Sequence, residues 1–285
     1  MKKLFAVIIL FCFTISGCFK KESNSNNIEI TDEQTLETTY KDKPETGRPR
    51  MQEPIDNIFI ALNELRLATN YESNSTGTVK AKKGSMTLAT QKVDNRKIVT
   101  PEATFNESIS VSTFVKVAEQ VYVKDNIFLK RDAKKVSSSG ITWKNSVDRL
   151  SQEQYLNQYG YSPKDPTRYV INKNTIISDI ETTNNGIGRK YSYKFSLDPQ
   201  IAPYFYLSSV KKLSGTSKSP KFKSIEMEIT LDYKWRMTQI VVNEVYEIEI
   251  PGLGQVTCHA SLTETFKNIN RNTSIDEALF FNNNL

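Results

Sequence analysis

The chain has 285 residues, enough for one large domain or two small ones. Its formal net charge of +6 is spread in short lysine pairs, whereas a nucleic-acid groove needs dense basic clustering, so no nucleic-acid partner is expected. Three cysteines and a single histidine cannot supply a disulfide framework or a histidine-rich metal site.

The N-terminal segment has the pattern of an export signal. Lys2 and Lys3 precede an apolar run over residues 4–13, and the small residues of the tetrapeptide 15–18 follow it. The apolar run is too short to span a hydrocarbon core of ~30 Å. Positive charge before such a run and small residues after it are typical of a secretory signal. We therefore expect the chain to be exported.

The tetrapeptide Ile-Ser-Gly-Cys that ends at Cys18 resembles the lipobox of bacterial lipoproteins. The resemblance implies that residues 1–17 are removed as a signal peptide and that the Cys18 thiol carries diacylglycerol, with palmitate-type chains. Two or more acyl chains give stable anchoring. We expect a lipoprotein of the cell envelope, held on the extracytoplasmic face of the cell membrane. The alternative is an ordinary secretory signal in which a cysteine falls at this position by chance.

A polar stretch follows the lipidation site. From Phe19 to Glu53 the chain is rich in Glu, Lys, Asn and Thr and has almost no large apolar residues. Such a stretch cannot bury enough surface to offset the entropy lost on ordering. The sequence therefore predicts a flexible tether over residues 18–53 and a single folded domain over residues 54–285.

The domain opens with an amphipathic helix. Apolar residues recur at steps of three and four, which marks one helical face; they are Ile55, Ile58, Phe59, Leu62 and Leu65. Because the other face of this helix is polar, we expect it to pack on a sheet.

After Tyr71 the hydrophobic pattern changes to a period of two, which predicts strands. These predicted strands cover residues 76–81, 85–90 and 108–117. A hairpin is predicted where Lys124-Asp125-Asn126 separates two β-rich runs, since Asp and Asn tolerate positive φ. Strands at 190–197, 224–231, 237–250 and 255–266 follow, and the short gaps between the last three predict antiparallel pairing.

Two helices are predicted in the middle of the chain. Residues 146–159 carry four apolar side chains on roughly one side, namely Val147, Leu150, Tyr155 and Leu156, and residues 199–213 contain several aromatic side chains.

The order of these elements resembles the lipoprotein-carrier half-barrel class (LolA/LppX-like). The features that carry the resemblance are the helix 55–65 followed by strands, and the strand–turn–strand segment 225–240, with Asp232 opening the turn. Trp235 stands where that class usually has a glycine. The resemblance implies an α+β fold, in which a curved antiparallel β-sheet, or half-barrel, is packed with a few amphipathic helices.

In that class the concave face of the sheet is an apolar cavity that takes acyl chains. Candidate lining residues are the side chains on one face of the strands and the aromatic cluster Tyr204, Tyr206 and Phe205. Because aromatic residues also dominate ordinary cores, no individual ligand-binding residue is assigned.

Catalytic chemistry is not expected. His259 is the one histidine, and its neighbour Cys258 points to the opposite face of the same predicted strand, which excludes a Cys–His dyad. We interpret Cys258 as a small buried hydrophobe. The acidic residues are scattered without calcium-loop spacing, and no glycine-rich phosphate loop is present. The sequence predicts a non-enzymatic protein without cofactor, metal or catalytic residues.

Two functional hypotheses remain. The first is a binder of lipid or another lipophilic ligand, which requires an apolar cavity much larger than a packing defect. The second is a surface or envelope-assembly protein that binds another protein through its sheet or an exposed patch. Alternation shows which face of a strand is apolar but not whether that face is filled, so both hypotheses stay open.

Overall fold

The computed structural model of the chain describes residues 36–44, 54–113, 116–184, 188–207, 218–250 and 252–276. The expected signal peptide and Cys18 lie outside these ranges. No helix within them is both long and apolar enough to cross a bilayer.

Within the described residues, twelve strands form one open sheet in which every paired strand is antiparallel to its neighbour. The strands are β1 Tyr71–Lys83, β2 Met86–Val99, β3 Ala103–Ser112, β4 Lys116–Lys124, β5 Ile127–Ser137, β6 Gly140–Trp143, β7 Asp148–Leu150, β8 Ile177–Asn184, β9 Arg189–Leu197, β10 Lys221–Leu231, β11 Met237–Ile250 and β12 Gly254–Lys267. Their spatial order is β6-β5-β4-β3-β2-β1-β12-β11-β10-β9-β8, and β7 pairs with β5. The sheet therefore consists of two meanders joined where β1 pairs with β12.

Helix α1, Pro54–Arg66, lies on this sheet as its apolar stripe predicts. Its side chains Ile58 and Leu62 are fully buried in the main core, which also contains Ile225 and Ile229 of β10. This core occupies one face of β9–β12 and extends to the ends of β1. The predicted helix on an antiparallel sheet is thus confirmed.

A second helix, α2, spans Gln152–Tyr159 and begins later than predicted. The expected helix 146–159 is wrong at its start, because residues 148–150 form β7 against β5, where Leu150 lies opposite Phe128. Ser151 then caps α2: its hydroxyl accepts from the Gln154 amide at 3.0 Å, and the Gln154 side chain accepts from the Ser151 amide at 2.7 Å. This capping box fixes the start of the helix.

The second predicted helix, 199–213, is wrong over residues 199–206, which form successive turns. Leu207 is helical, and residues 208–213 lie outside the described ranges. The predicted strand 108–117 is divided between β3 and β4. By contrast, the hairpin at Asp125 and Asn126 is confirmed, with φ of 50° and 60° at these residues.

Part of the stretch predicted to be a tether packs on the domain. The Thr39 amide donates to the Ile171 carbonyl at 2.9 Å, and the Asn63 side chain of α1 donates to Asp42 at 2.9 Å. The Arg66 guanidinium lies 4.2 Å from the centre of the Tyr40 ring. Residues 36–44 therefore extend the folded surface beyond α1.

Candidate functional site: a polar cavity on the covered face

The face of the sheet that carries the main core changes from apolar to polar from one side of the sheet to the other. Under α1 it is apolar, but across β1–β4 it is polar. Glu264, Ser75, Asn95, Ser108 and Glu119 lie directly opposite one another on the successive strands β12, β1, β2, β3 and β4. We call these five residues the polar row. At the usual strand spacing it spans roughly 20 Å.

A second line of polar side chains runs beside the polar row. Ser73, Lys97 and Asn106 are cross-strand partners on β1, β2 and β3. The period of two in a strand places them on the same face as Ser75, Asn95 and Ser108. The Lys97 ammonium donates to the Asp165 carbonyl at 3.1 Å and lies 5.5 Å from the centre of the Tyr71 ring.

Residues 161–169 cover this part of the sheet as a loop. Asp165 holds the loop in shape, because its carboxylate accepts from the Ser162 amide at 2.8 Å. The Tyr169 hydroxyl fixes the far end of the loop by donating to Glu244 at 2.8 Å. The Arg168 guanidinium lies over the rings of Tyr169 and Tyr206, 5.5 and 5.2 Å from their centres.

A cavity of ≈ 80 Å³ lies between the sheet and this loop. The side chains of the two polar lines other than Glu119 form its floor together with apolar Ile240, Val242 and Leu262, and the loop covers it. It is lined by Ser73, Ser75, Asn95, Lys97, Asn106, Ser108, Tyr161, Asp165, Pro166, Thr167, Arg168, Tyr169, Ile240, Val242, Leu262 and Glu264. A neighbouring cavity of ≈ 20 Å³ shares Arg168 and Tyr169.

Asn95, which lines this cavity, has one hydrogen-bond acceptor without a partner in the protein. Its side-chain amide donates to the Ser75 hydroxyl at 3.1 Å, but its carbonyl oxygen Oδ1 is buried and has no partner within the protein. A buried polar atom without a partner costs about 1–3 kcal/mol. Buried polar sites of this size hold water or another donor.

Burial and neighbouring groups together determine the pKa values of the two cations in the cavity. Burial works to lower the pKa of Lys97, but its interactions with Tyr71, Tyr161 and Glu264 outweigh burial and raise it. Burial likewise opposes the charge of Arg168, but nearby Tyr169, Tyr206 and Glu244 raise its pKa. Both cations are therefore protonated at neutral pH.

For two groups on the loop, which are charged only when deprotonated, burial raises the pKa instead of lowering it. Burial raises the pKa of the Tyr161 hydroxyl, which keeps it protonated and able to donate. Burial also raises the pKa of the Asp165 carboxyl, although the Ser162 amide and Lys97 act against this.

The polar row ends in a buried charged network. The Lys130 ammonium is 2.8 Å from Asp132 Oδ1 and 3.6 Å from Glu119 Oε2, and the Tyr159 hydroxyl of α2 donates to Glu119 Oε1 at 2.8 Å. Glu119 and Lys130 are each only 1% exposed. Burial raises the pKa of Glu119 to about 7, although Lys130 and Tyr159 act to lower it.

The residues considered from sequence lie away from the cavity. Cys258 is buried in the main core, as predicted, and exposed His259 points to the opposite face. Of the aromatic cluster, Tyr206 is buried and donates to Glu244, whereas Phe205 is 43% exposed; neither cavity is lined by the cluster. No group of three or more His, Cys, Asp or Glu side chains suited to a metal ion occurs in the described ranges.

The cavity residues were not singled out from the sequence. The available signal was the polar character of alternate positions in the strands, namely Ser73 and Ser75 on β1, Asn95 and Lys97 on β2 and Ser108 on β3. An inward position that repeatedly carries Ser, Asn or Lys is unusual for a core.

Comparisons with known proteins identify no family. No family model matches the chain, and no curated protein matches it. Among solved structures, a crystal structure of MucB in complex with MucA(peri) is 5% identical, with 72% of this chain and 92% of that chain covered and a TM-score of 0.13. A Pseudomonas aeruginosa MucA/MucB complex is 5% identical, with 70% and 91% covered and a TM-score of 0.12. At these scores neither structure carries an argument about fold or function.

Proposed function

We propose that this chain is a lipoprotein anchored through Cys18 on the extracytoplasmic face of a membrane, and that its domain is a non-enzymatic module for a hydrophilic ligand. One observation carries the ligand proposal: the polar side chains of β1–β3 and the charged residues Lys97, Arg168 and Glu264 line a cavity, beside the apolar side chains of β11 and β12. The anchor rests on the lipobox-like sequence alone.

An acyl chain suits this site poorly. A cavity of ≈ 80 Å³ is well below the ~300–1,000 Å³ of pockets that enclose a drug-sized ligand. A hydrocarbon chain would also supply no hydrogen-bond donor to Asn95 Oδ1, which has no partner within the protein, and a buried polar atom without a partner is costly. On the apolar half of the same face, Ile58 and Leu62 of α1 already pack against β10. We therefore propose that this chain shares the half-barrel fold of the lipid carriers but not their use of an acyl-chain cavity.

Binding to another protein is the second candidate, and the edge of the sheet favours it. Strand β8 pairs with β9 on one side and ends the order of strands on the other. Ile176 and Ile180 at this edge are 80% and 43% exposed. An exposed edge strand can accept a strand from a partner. The charges of Asp179 and Glu181 on the same strand oppose such pairing, which places this function second.

Native mass spectrometry of the full chain, purified from bacterial membranes, tests the ligand proposal. The bound fraction is then extracted into organic and aqueous phases. We expect non-covalent ligand in the aqueous phase and no uptake of an apolar fluorescent probe. Phospholipid or fatty acid recovered at about one per chain, and displaced by the probe, would overturn the proposal.

Metabolic labelling tests the anchor separately. We expect labelled palmitate to be incorporated into the full chain and not into its Cys18→Ser variant. A Cys258→Ser variant is the matched control and should be labelled like the parent. Equal labelling of the Cys18→Ser variant would show that the lipid is carried elsewhere.

A further inference from the structure

We propose that the cavity binds a neutral, polyhydroxylated ligand, that is, the hydroxyl-bearing edge of a carbohydrate. This inference rests on the proposed function and deepens it by naming the ligand class. It is carried by the chemistry of the floor formed by Ser73, Ser75, Asn95, Asn106 and Ser108.

The floor offers hydrogen-bond donors and acceptors in mixture. Hydroxyl groups of Ser73, Ser75 and Ser108 can both donate and accept, and the amides of Asn95 and Asn106 carry both functions on one planar group. A small anion requires donors alone, and a small cation requires acceptors alone. A sugar hydroxyl both donates and accepts, so it matches a mixed surface.

The charges that line the cavity balance. Lys97 and Arg168 contribute two positive charges, and Asp165 and Glu264 contribute two carboxylates. Lys97 already donates to the Asp165 carbonyl. Because the fields of opposite charges largely cancel, the cavity has no net attraction for an ion of either sign. A neutral ligand therefore fits the electrostatics better than phosphate or a carboxylate does.

The unpaired Oδ1 atom of Asn95 is the second, independent observation. This oxygen belongs to a residue that is 8% exposed, lines the cavity and accepts no hydrogen bond from the protein. The Ser75 hydroxyl already accepts from the same side chain. A ligand hydroxyl that reaches Asn95 Oδ1 would supply the missing donor.

The size of the cavity limits how much of the ligand can enter. Its ≈ 80 Å³ corresponds to two or three water molecules at ~30 Å³ each. One edge of a sugar ring fits this space, whereas a whole oligosaccharide does not. Tyr161, on the covering loop, also lines the cavity, and its aromatic ring would pack against the ring carbons of the ligand.

Isothermal titration of the full chain tests the inference. The probes are glucose, galactose and N-acetylglucosamine, with glycine and inorganic phosphate as charged comparisons. We expect at least one sugar to bind. The Asn95→Ala variant should bind it about ten-fold more weakly, because the variant lacks the acceptor that we propose pairs with a sugar hydroxyl. Asn243→Ala, on the exposed face of β11, is the matched control and should bind like the parent.

The other outcomes are equally decisive. Binding of phosphate or glycine without any sugar would overturn the carbohydrate inference and leave the hydrophilic-ligand proposal standing. Absence of binding by all five probes would overturn it as well, as expected for a cavity that holds water only; the mass-spectrometric extraction then decides the proposed function. If Asn95→Ala does not fold, as judged by thermal melting, the partly buried Asn106→Ala variant provides the same comparison.

Discussion

Glu119 is a carboxyl group buried where the polar row meets α2. Tyr159 donates to one of its oxygens, and the Lys130 ammonium is 3.6 Å from the other. Burial nevertheless raises its pKa to about 7 from 4.5. A carboxyl group with a raised pKa stabilises the fold most when it is protonated, so its contribution is complete below pH 4.5 and is lost as the pH rises through about 7.

Replacing Glu119 by glutamine should remove this pH dependence. Relative to the parent, the free energy of unfolding of Glu119→Gln should rise between pH 4.5 and pH 8, by at most about 3 kcal/mol. Urea unfolding of both proteins at the two pH values measures the difference. The exposed Glu102→Gln variant is the control and should show no such trend. A trend of opposite sign for Glu119→Gln would mean that Lys130 and Tyr159 outweigh burial.

The turn after β10 shows how far the sequence predicts the structure at single residues. Asp232 opens it as predicted, accepting from the amides of Lys234 and Arg236 at 2.8 and 3.0 Å. Trp235 stands in the glycine place of the half-barrel class and adopts a φ of 65°. Its ring stacks on Tyr191 with a centroid distance of 4.6 Å and an interplanar angle of 6°. This stacking depends on the register of β9, which the local sequence does not reveal.

At the level of elements, the pairing of β1 with β12 connects the two meanders into one sheet. Gly77 lies in the middle of β1, opposite Leu262. A Cβ atom added at Gly77 would be 2.6 Å from the Ser261 carbonyl oxygen, which belongs to the backbone and cannot rotate away. Glycine is required here by close approach of the two strands.

Gly77→Ala should therefore destabilise the domain by about 1–3 kcal/mol. Without the clash, alanine would stabilise a strand interior by about 0.5–1 kcal/mol relative to glycine. The sign of the change in stability therefore shows whether the clash occurs. Chemical denaturation measures it, and the exposed neighbour Thr76→Ala should change stability by no more than about 0.5 kcal/mol. A more stable Gly77→Ala variant would mean that the strands separate more widely at this point.

Strand prediction succeeded where one face is buried and failed where that condition does not hold. Alternation located β1–β3 and β9–β12 in part or in full, because apolar side chains face the core at every second position. Strand β8 was missed because its residues are almost all exposed. The helix 146–159 was predicted from Val147 and Leu150, but pairing with β5 overrides that local preference.

For the whole molecule, the covered face of the sheet is divided in two. Its apolar half, under α1, contains the main core, and its polar half contributes to the cavity. Alternation identifies which side chains point inward. It does not reveal that the loop 161–169 folds over Asn95 and Lys97, because that contact joins residues about seventy positions apart.

The most direct test of the central claim is a crystal structure of the full chain at a resolution that shows ordered water. The account predicts hydrogen-bonded density, from water or a hydrophilic ligand, within about 3 Å of Asn95 Oδ1, with the loop 161–169 in place over the sheet. Continuous apolar density of an acyl chain between α1 and the sheet, with the loop displaced, would contradict the account and restore the lipid-carrier hypothesis.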